Sequence, residues 1–419
     1  MAKVKPAPEN RPFSLLVKPA AADCNLRCSY CFYLEKAGLY PSSPVHRMSD
    51  EVLEKLISSY MATRQKVYAF GWQGGEPMMM GLDFFRKVTA LQEKHGPPGA
   101  VVSNGLQTNG TLLTDEAAEF FTRYRFLLGV SLDGPEDLHG VYRVDGAGES
   151  SFRRVLRGIA ALRRRGTEFN ILTLVSSANV GKSREVYEFL RSQGFYHHQY
   201  IPCVEWDGAG RDLPWSISGE DWGRFLLGIF QAWHPRDTAT VSVRLFDSIL
   251  HFLVHGSHNV CFMGGSCASY FMVEHNGDVY PCDFFARPDL LLGNVTTHSF
   301  RQLDASPVYR RFGAAKSRWS GVCGDCEFLP FCSGDCVKNR PGMDRDPRTL
   351  SPLCAGWKLF YRETLPVFRS LAEELLRLRG PDEPRLHPRA GRTREACFCG
   401  SGRLYGNCHG AAAGPLRSG

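Results

Sequence analysis

From residue 13 to about residue 201 the chain alternates short apolar runs with longer amphipathic ones. The short runs are FSLLVKP, VYAFGWQ, AVVSNGLQT, RFLLGVSLDG, EFNILTLVSS and YHHQYIP. They are rich in β-branched and aromatic residues and end in Gly, Asp, Asn or Pro, which predicts six strands. Between them apolar positions recur every three to four residues, predicting helices over 49–62, 82–95, 114–124, 151–165 and 181–193. Strands that alternate with helices in this way form a parallel sheet, so the fold class is α/β. Either an open doubly wound sheet or a partial TIM-like (β/α)6 barrel accommodates six such units. No GxGxxG follows the first strand, which argues against a dinucleotide-binding fold. Beyond residue 205 the pattern is mixed, with helices predicted over 219–233 and 244–255. A cysteine-dense section runs from 261 to 354. WKLFYRETLPVFRSLAEELLRLR predicts a further helix, with a kink expected at Pro366. The stretch 379–395 is rich in Pro and Arg and reads as a linker, and a small separate unit occupies 396–419.

Composition narrows the class. Of 419 residues 43% are hydrophobic and 22% charged, the balance of a soluble globular chain large enough for more than one domain. The best membrane candidate, LFDSILHFLV, is far short of the roughly 20 apolar residues a span needs and carries an Asp and a His. The opening MAKVKPAPENRP lacks an apolar signal core, so a cytoplasmic location is expected and no membrane partner. The net charge of +7 comes from scattered arginines, as in RRVLRGIAALRRRG. That is the solvated face of a helix, and no nucleic-acid partner is expected without aromatic residues interleaved in a basic stripe. Fifteen cysteines are many for a reducing compartment, where they serve as metal ligands rather than disulfides. They fall into groups of three, eight and three, leaving Cys203 alone, which reads as a buried small apolar residue.

The first group is CNLRCSYC, with Cys24, Cys28 and Cys31 just beyond the first strand. Three thiolates bind three irons of a cubane and leave the fourth open, as catalytic metal sites keep one position for substrate. The CxxxCxxC motif followed by an aromatic resembles the radical S-adenosylmethionine (SAM) enzymes. That resemblance implies a 4Fe–4S cluster whose open iron is chelated by the amino and carboxylate groups of SAM. By the same resemblance GWQGGEP supplies Gly74, Gly75 and Glu76 for the SAM amino group. Ser131 in VSLDGP and Arg143 in VYR fall to the ribose and carboxylate, Ile201 in YIPC to the adenine, and Tyr30 to the same pocket. Each of these motifs stands where a predicted strand stops, and ligands of parallel βα folds bind at the carboxyl ends of strands.

The second group is Cys261, Cys267, Cys282, Cys323, Cys326, Cys332, Cys336 and Cys354. Eight thiols suffice for two closed four-ligand sites, and the CxxC pair equally suits a zinc ribbon. The spacing resembles the SPASM domain, which carries two auxiliary 4Fe–4S clusters. That resemblance implies one cluster on Cys261, Cys267, Cys282 and Cys336 and another on Cys323, Cys326, Cys332 and Cys354. Asp283 directly follows a ligand cysteine in YPCDFF. A radical beside sulfur or oxygen becomes a carbonyl or thiocarbonyl only by losing an electron and a proton, and Asp283 is a candidate base for that proton.

GWQGGEPMMMGLDFF, LQTNGTLL, VSLDGPEDLHGVYR, EFNILTLVSS, QYIPCVE and YPCDFF together resemble the anaerobic sulfatase-maturating enzymes, over about residues 12–375. The resemblance implies oxidation of a Cys or Ser in a sulfatase to Cα-formylglycine through a 5′-deoxyadenosyl radical, with Asp283 as the base. It also implies a CxPxR or SxPxR segment of the sulfatase as substrate and an external reductant such as flavodoxin or ferredoxin. The expected organisation is a radical SAM partial barrel over 1–235, a SPASM domain over 236–378, a linker over 379–395 and a zinc-binding tail over 396–419. The tail, CFCGSGRLYGNCHG, offers Cys397, Cys399, Cys408 and His409, a tetrahedral zinc set that resembles the SEC-C motif. So short a unit needs the metal to fold. Two alternatives share these cysteines: a SPASM maturase that installs a thioether or carbon crosslink in a precursor peptide, and a non-catalytic iron–sulfur or zinc scaffold or electron carrier.

Overall fold

The computed structural model describes residues 12–41, 43–342 and 346–378. The six predicted strands are present: β1 (Ser14–Lys18), β2 (Val67–Trp72), β3 (Val101–Thr108), β4 (Leu127–Ser131), β5 (Phe169–Val175) and β6 (His197–Pro202). They pair in parallel in chain order, with Leu15 opposite Phe70, Phe70 opposite Asn104, Val130 opposite Ile171 and Thr173 opposite Tyr200. The helices between them are α1 (Asp50–Met61), α2 (Leu82–His95), α3 (Asp115–Arg123), α4 (Phe152–Arg165) and α5 (Ser183–Ser192). Ser49 and Thr114 start α1 and α3 by accepting from Val52 N–H and Ala117 N–H, which satisfies donors that a helix start otherwise leaves orphaned. Strands covered on both faces need apolar side chains on both, and Leu127, Leu128, Val130 and Ser131 are all buried.

The sheet extends past the six units. A short β7 (Ser242–Val243) continues it beyond β6, and β8 (Tyr270–Glu274), β9 (Asp278–Tyr280) and β10 (Gly293–Asn294) extend it on the other side of β1. The sheet is open, with β10 and β7 at its edges, and β1 to β6 follow one another in chain order without the reversal of a doubly wound sheet, so the architecture is the partial barrel. Strand β8 runs parallel to β1, and β9 folds back antiparallel at a turn where Gly277 has φ of 89°. The cysteine-rich half therefore contributes strands to the barrel's own sheet. The Asn276-Gly277 pair between FMVE and DVY is a hairpin signal legible in the sequence.

Residue 235, where the barrel is expected to end, does not separate two cores. Helices α6 (Gly219–Trp233) and α7 (Arg244–His255) share one apolar cluster with α8 (Cys354–Arg377), through Trp222, Phe225, Phe246, Trp357 and Phe360. Gly356 lies so close to α6 that a Cβ there would stand 1.9 Å from Gly219 O. Helix α8 continues through Pro366 to Arg377. Among the described residues no helix is long and apolar enough to cross a membrane.

Candidate active site and cluster-binding cysteines

The loop after β1 carries Cys24, Cys28 and Cys31 to the carboxyl edge of the sheet. The three thiols lie within electrostatic reach of one another, in an apolar shell of Leu26, Tyr30, Leu174, Cys203 and Trp215. Burial pushes Cys24 and Cys28 up to about 11. Thiols held protonated in this way release their protons to a metal that takes their place, so the site suits a cationic cluster. Among the described residues no three His, Cys, Asp or Glu side chains gather around a single ion.

The GGE loop closes on the cysteine loop backbone to backbone. Gly75 N–H donates to Ala21 O and Glu76 N–H to Asp23 O, both at 2.8 Å. A Cβ on Gly75 would stand 2.0 Å from Asp23 O, and Gly74 has φ of 119°, so both positions require glycine. Glu76 is fully buried, and burial pushes its carboxyl up to about 7. Its oxygens accept from Met78 N–H at 2.9 Å, Thr108 Oγ1 at 2.8 Å and Asn109 N–H at 2.7 Å, tying β2 to the end of β3.

Asp133 organises the ends of β4 and β5. It accepts from Tyr30 Oη and from Arg143 Nε at 2.8 Å, while its other oxygen takes Leu174 N–H at 2.9 Å. Arg143 also stacks over the Tyr30 ring at 5.4 Å. His139 accepts from Asp133 N–H through Nδ1 at 3.3 Å and contacts Ser151 Oγ through Nε2 at 2.9 Å. Ser131, buried at the end of β4, and Ile201, half-buried opposite Leu174, line the same edge of the sheet. Cys203 is buried beside the cluster loop, and burial pushes its thiol up to about 12.

A second polar group lies at the ends of β1, β2 and β8. Lys18 and Glu274 are cross-strand neighbours in the β1–β8 register, and Lys18 Nζ meets Glu274 Oε1 at 2.7 Å with both side chains buried. Lys18 Nζ is also 3.9 Å from Asp283 Oδ1 and 4.8 Å from the centre of the Tyr33 ring. Asp283 accepts on Oδ2 from Tyr33 Oη and from Gln73 Nε2 at 3.0 Å. Its Oδ1 is buried with no hydrogen-bond partner among the described residues. Burial raises the Asp283 carboxyl, against the opposing pull of Lys18. A buried carboxylate oxygen left open, at the mouth of a barrel, is suited to take a proton.

The eight later cysteines form two neighbourhoods. Cys336 lies within reach of Cys261 and Cys267, and Cys282 within reach of Cys336. Cys323, Cys326, Cys332 and Cys354 together line one small cavity of about 20 Å3, with Phe328 and Trp357 among its walls. Cys397, Cys399, Cys408 and His409 lie outside the described residues.

Asp133, Tyr33, Gln73, Lys18 and Glu274 were not singled out by the sequence reading. Gln73 stands beside the GGE motif and Tyr33 two residues past Cys31, so proximity to a motif was their available signal. Lys18 and Glu274 gave none, because a buried ion pair 256 positions apart follows from strand register alone.

Comparison with known proteins agrees with the geometry. The radical SAM superfamily model matches residues 20–190, the SPASM iron–sulfur cluster-binding domain residues 261–327 and the SEC-C motif residues 394–411. The serine-type anaerobic sulfatase-maturating enzyme of Bacteroides thetaiotaomicron is 37% identical over 90% of this chain and 95% of its own length. The cysteine-type enzyme of Clostridium perfringens is 32% identical over 87% of this chain and 99% of its own. A solved structure described as native anSMEcpe with bound AdoMet and the Cp18Cys peptide superposes with a TM-score of 0.81 at 32% identity, covering 87% of this chain and 100% of that one. Streptococcus suis SuiB shares the fold at 15% identity with a TM-score of 0.58, covering 82% of this chain and 77% of that one.

Proposed function

This chain belongs to the anaerobic sulfatase-maturating enzymes, and from that premise we propose that it oxidises a Cys or Ser of a sulfatase polypeptide to Cα-formylglycine. The substrate segment is CxPxR or SxPxR, and an external flavodoxin or ferredoxin delivers the priming electron. SAM and iron–sulfur clusters are its cofactors. We assign a 4Fe–4S cluster to Cys24, Cys28 and Cys31, and two more to the cysteine sets Cys261, Cys267, Cys282, Cys336 and Cys323, Cys326, Cys332, Cys354. Zinc on Cys397, Cys399, Cys408 and His409 completes the metal inventory. By the metal site each stretch serves, we divide the chain into a radical SAM barrel (1–235), an auxiliary-cluster domain (236–378) that shares the apolar core of α6, a linker (379–395) and a zinc tail (396–419), in the cytoplasm.

When bound, the cluster and SAM supply the 5′-deoxyadenosyl radical that takes a Cβ hydrogen from the substrate, and the auxiliary clusters supply a sink for one electron. The chain's own residues position and deprotonate. Tyr30, Gly74, Gly75, Ser131, Arg143 and Ile201 shape the SAM pocket, with Asp133 fixing Tyr30 and Arg143. Glu76, whose oxygens serve protein donors, contributes by tying the GGE loop to the end of β3, while its main-chain N–H holds the cysteine loop. Asp283 Oδ1 receives the substrate proton, while Tyr33 and Gln73 occupy Oδ2 and keep the carboxylate aimed; a serine then stands as the aldehyde, and a cysteine as a thioaldehyde that water hydrolyses with release of hydrogen sulfide. One observation carries the reading: Tyr33, two residues beyond Cys31, donates to Asp283. The loop meant for the radical source and the group meant for the proton are thus joined by one hydrogen bond. A substrate hydrogen and its neighbouring proton are reached from one position.

The test is an anaerobic assay of the reconstituted enzyme with paired Cys and Ser peptides, read by mass spectrometry. Formylglycine on either peptide, with 5′-deoxyadenosine released, is the expected result. A crosslinked product of unchanged residue count would assign the chain to peptide maturation, and absence of 5′-deoxyadenosine would make it a carrier or scaffold.

A further inference from the structure

Two cations lie buried among the eight later cysteines. Lys316 is 0% exposed and Arg340 2%. Among the described residues neither forms an ion pair with a carboxylate, and their hydrogens go to main-chain carbonyls. Lys316 Nζ donates to Ser333 O at 2.8 Å and Asp335 O at 2.5 Å. Arg340 donates through Nε to Gly334 O at 2.9 Å, and through Nη1 to Arg318 O at 3.2 Å and Pro347 O at 3.1 Å. Its Nη2 reaches Lys316 O and Ser333 O at 3.0 Å and Asp335 O at 3.1 Å.

Five of these eight bonds go to the carbonyls of one short strap, 333–335, between Cys332 and Cys336. Those two cysteines belong to different four-thiol neighbourhoods. The strap's backbone is left-handed throughout, with φ of 47° at Ser333, 68° at Gly334 and 66° at Asp335. Two of the three are not glycine, a conformation that persists only where the surroundings impose it. A Cβ on Gly334 would meet Arg340 Nη2 at 2.9 Å. The Asp335 carboxylate accepts from Asn339 Nδ2 at 3.1 Å and Ser351 Oγ at 2.6 Å, and lies within electrostatic reach of both cations without bonding to either.

Two buried like charges with a single carboxylate, Asp335, within reach and none bonded to either are costly unless further anions face them. Thiolates do so here. Cys267 and Cys336 lie within electrostatic reach of both cations. Cys261 and Cys332 lie within reach of Lys316, and Cys323 within reach of Arg340.

Building on the auxiliary-cluster assignment above, we propose that Lys316 and Arg340 form a fixed buried dication that raises the reduction potentials of both auxiliary clusters. Substrate oxidation sends one proton to Asp283 and one electron to a cluster. A cluster on four thiolates is already negative and becomes one unit more so on reduction. Positive charge buried at close range stabilises that added unit, and the low-dielectric surroundings leave it poorly screened. Lys316 and Arg340 are positioning residues of the electron sink, touching neither substrate nor SAM.

The test is a mediated redox titration of the reconstituted full chain followed by electron paramagnetic resonance. The Cys24→Ala/Cys28→Ala/Cys31→Ala variant identifies the signals of the auxiliary clusters. Lys316→Met and Arg340→Met are expected to lower the reduced-to-oxidised ratio at fixed poise at least about tenfold, equivalent to about 59 mV for a one-electron couple. Lys316→Arg and Arg340→Lys keep the charge and are expected to titrate near the parent. Iron loss confined to the neutral variants would also support the proposal, since it tracks charge. Neutral variants that keep iron and the parent potential would overturn it, as would equal iron loss from all four variants. A parent chain holding iron for a single cluster would remove the auxiliary-cluster assignment itself, and this proposal with it.

Discussion

The barrel mouth and the cysteine-rich half solve the same problem, holding buried polar groups around a cluster, in different ways. At the mouth, side chains are delivered by strand ends whose register is fixed by a large apolar core. Asp133, Glu76 and Lys18 sit there in fully directed hydrogen bonds. Around Cys323–Cys354 regular structure is sparse, and two cations gather main-chain carbonyls instead. The first region is held by hydrogen bonds between side chains of neighbouring strand ends. The second relies on two cations with one carboxylate, Asp335, between them.

The largest expected effect tests that contrast directly. Replacing Cys24, Cys28 and Cys31 together by Ala should abolish 5′-deoxyadenosine release while leaving far-UV circular dichroism and the melting temperature near the parent's, because the loop is an appendage of an intact sheet. Cys336→Ala, a single change, should lower the melting temperature and the iron content together. A collapsed triple variant, or an unmoved Cys336→Ala, would erase the distinction.

Next in size is Asp283→Asn. The substitution keeps the contacts to Tyr33 and Gln73 within reach but removes the proton acceptor. SAM cleavage should continue, while formylglycine formation falls by about 10²–10⁴-fold, the usual span for losing a general base. Unimpaired turnover by this variant would remove the base role from Asp283.

Asp133→Asn is expected to act on the nucleotide rather than on the peptide. It leaves the buried Arg143 guanidinium without its carboxylate, a loss that costs about 3–5 kcal/mol in comparable buried pairs. Part of that cost should appear as weaker SAM binding by calorimetry, with the peptide KM unchanged. An equal rise in both constants would point to general loosening of the barrel instead.

The contrast also explains what the sequence made legible. Six strands and five helices of the barrel follow from hydrophobic period, and each lies within a few residues of its expected place, because a sheet buried on both faces writes its pattern into consecutive residues. The cluster cysteines were legible as well, since their spacing is local. The β8–β9 hairpin lies in a segment where the cysteine pattern outweighs the strand pattern, although Asn276-Gly277 marks its turn. Lys18, Glu274, Lys316 and Arg340 were invisible for a different reason. Each is an ordinary cation or anion in sequence and becomes buried only through pairings across the fold. Nor does a linear pattern show that the core of α6, α7 and α8 spans the expected boundary at 235.

The smallest effect separates titratable from fixed charge. His139 is 0% exposed. Accepting Asp133 N–H on Nδ1 leaves Nε2 to donate to Ser151 Oγ, whose hydroxyl donates to Arg143 O at 3.0 Å. This chain requires the neutral ring. Burial lowers the His139 value to about 4, while the Asp133 charge opposes that shift. The unfolded chain takes up its proton near 6.5. Between those values the unfolded state binds more protons, so stability is full above about pH 6.5, drains as the pH falls, and is lost below about pH 4. One such histidine accounts for at most about 3 kcal/mol. His198, held by Phe195 O and Tyr200 Oη and likewise lowered to about 4 by burial, adds a similar dependence. His139→Gln should therefore flatten, without abolishing, the fall in melting temperature between pH 6.5 and 4, since His198, His258 and lowered carboxylates such as Glu274 keep their own shares. A variant whose melting curve keeps the parent's full acid slope would show that the Asp133–Arg143 pair does not depend on a neutral His139.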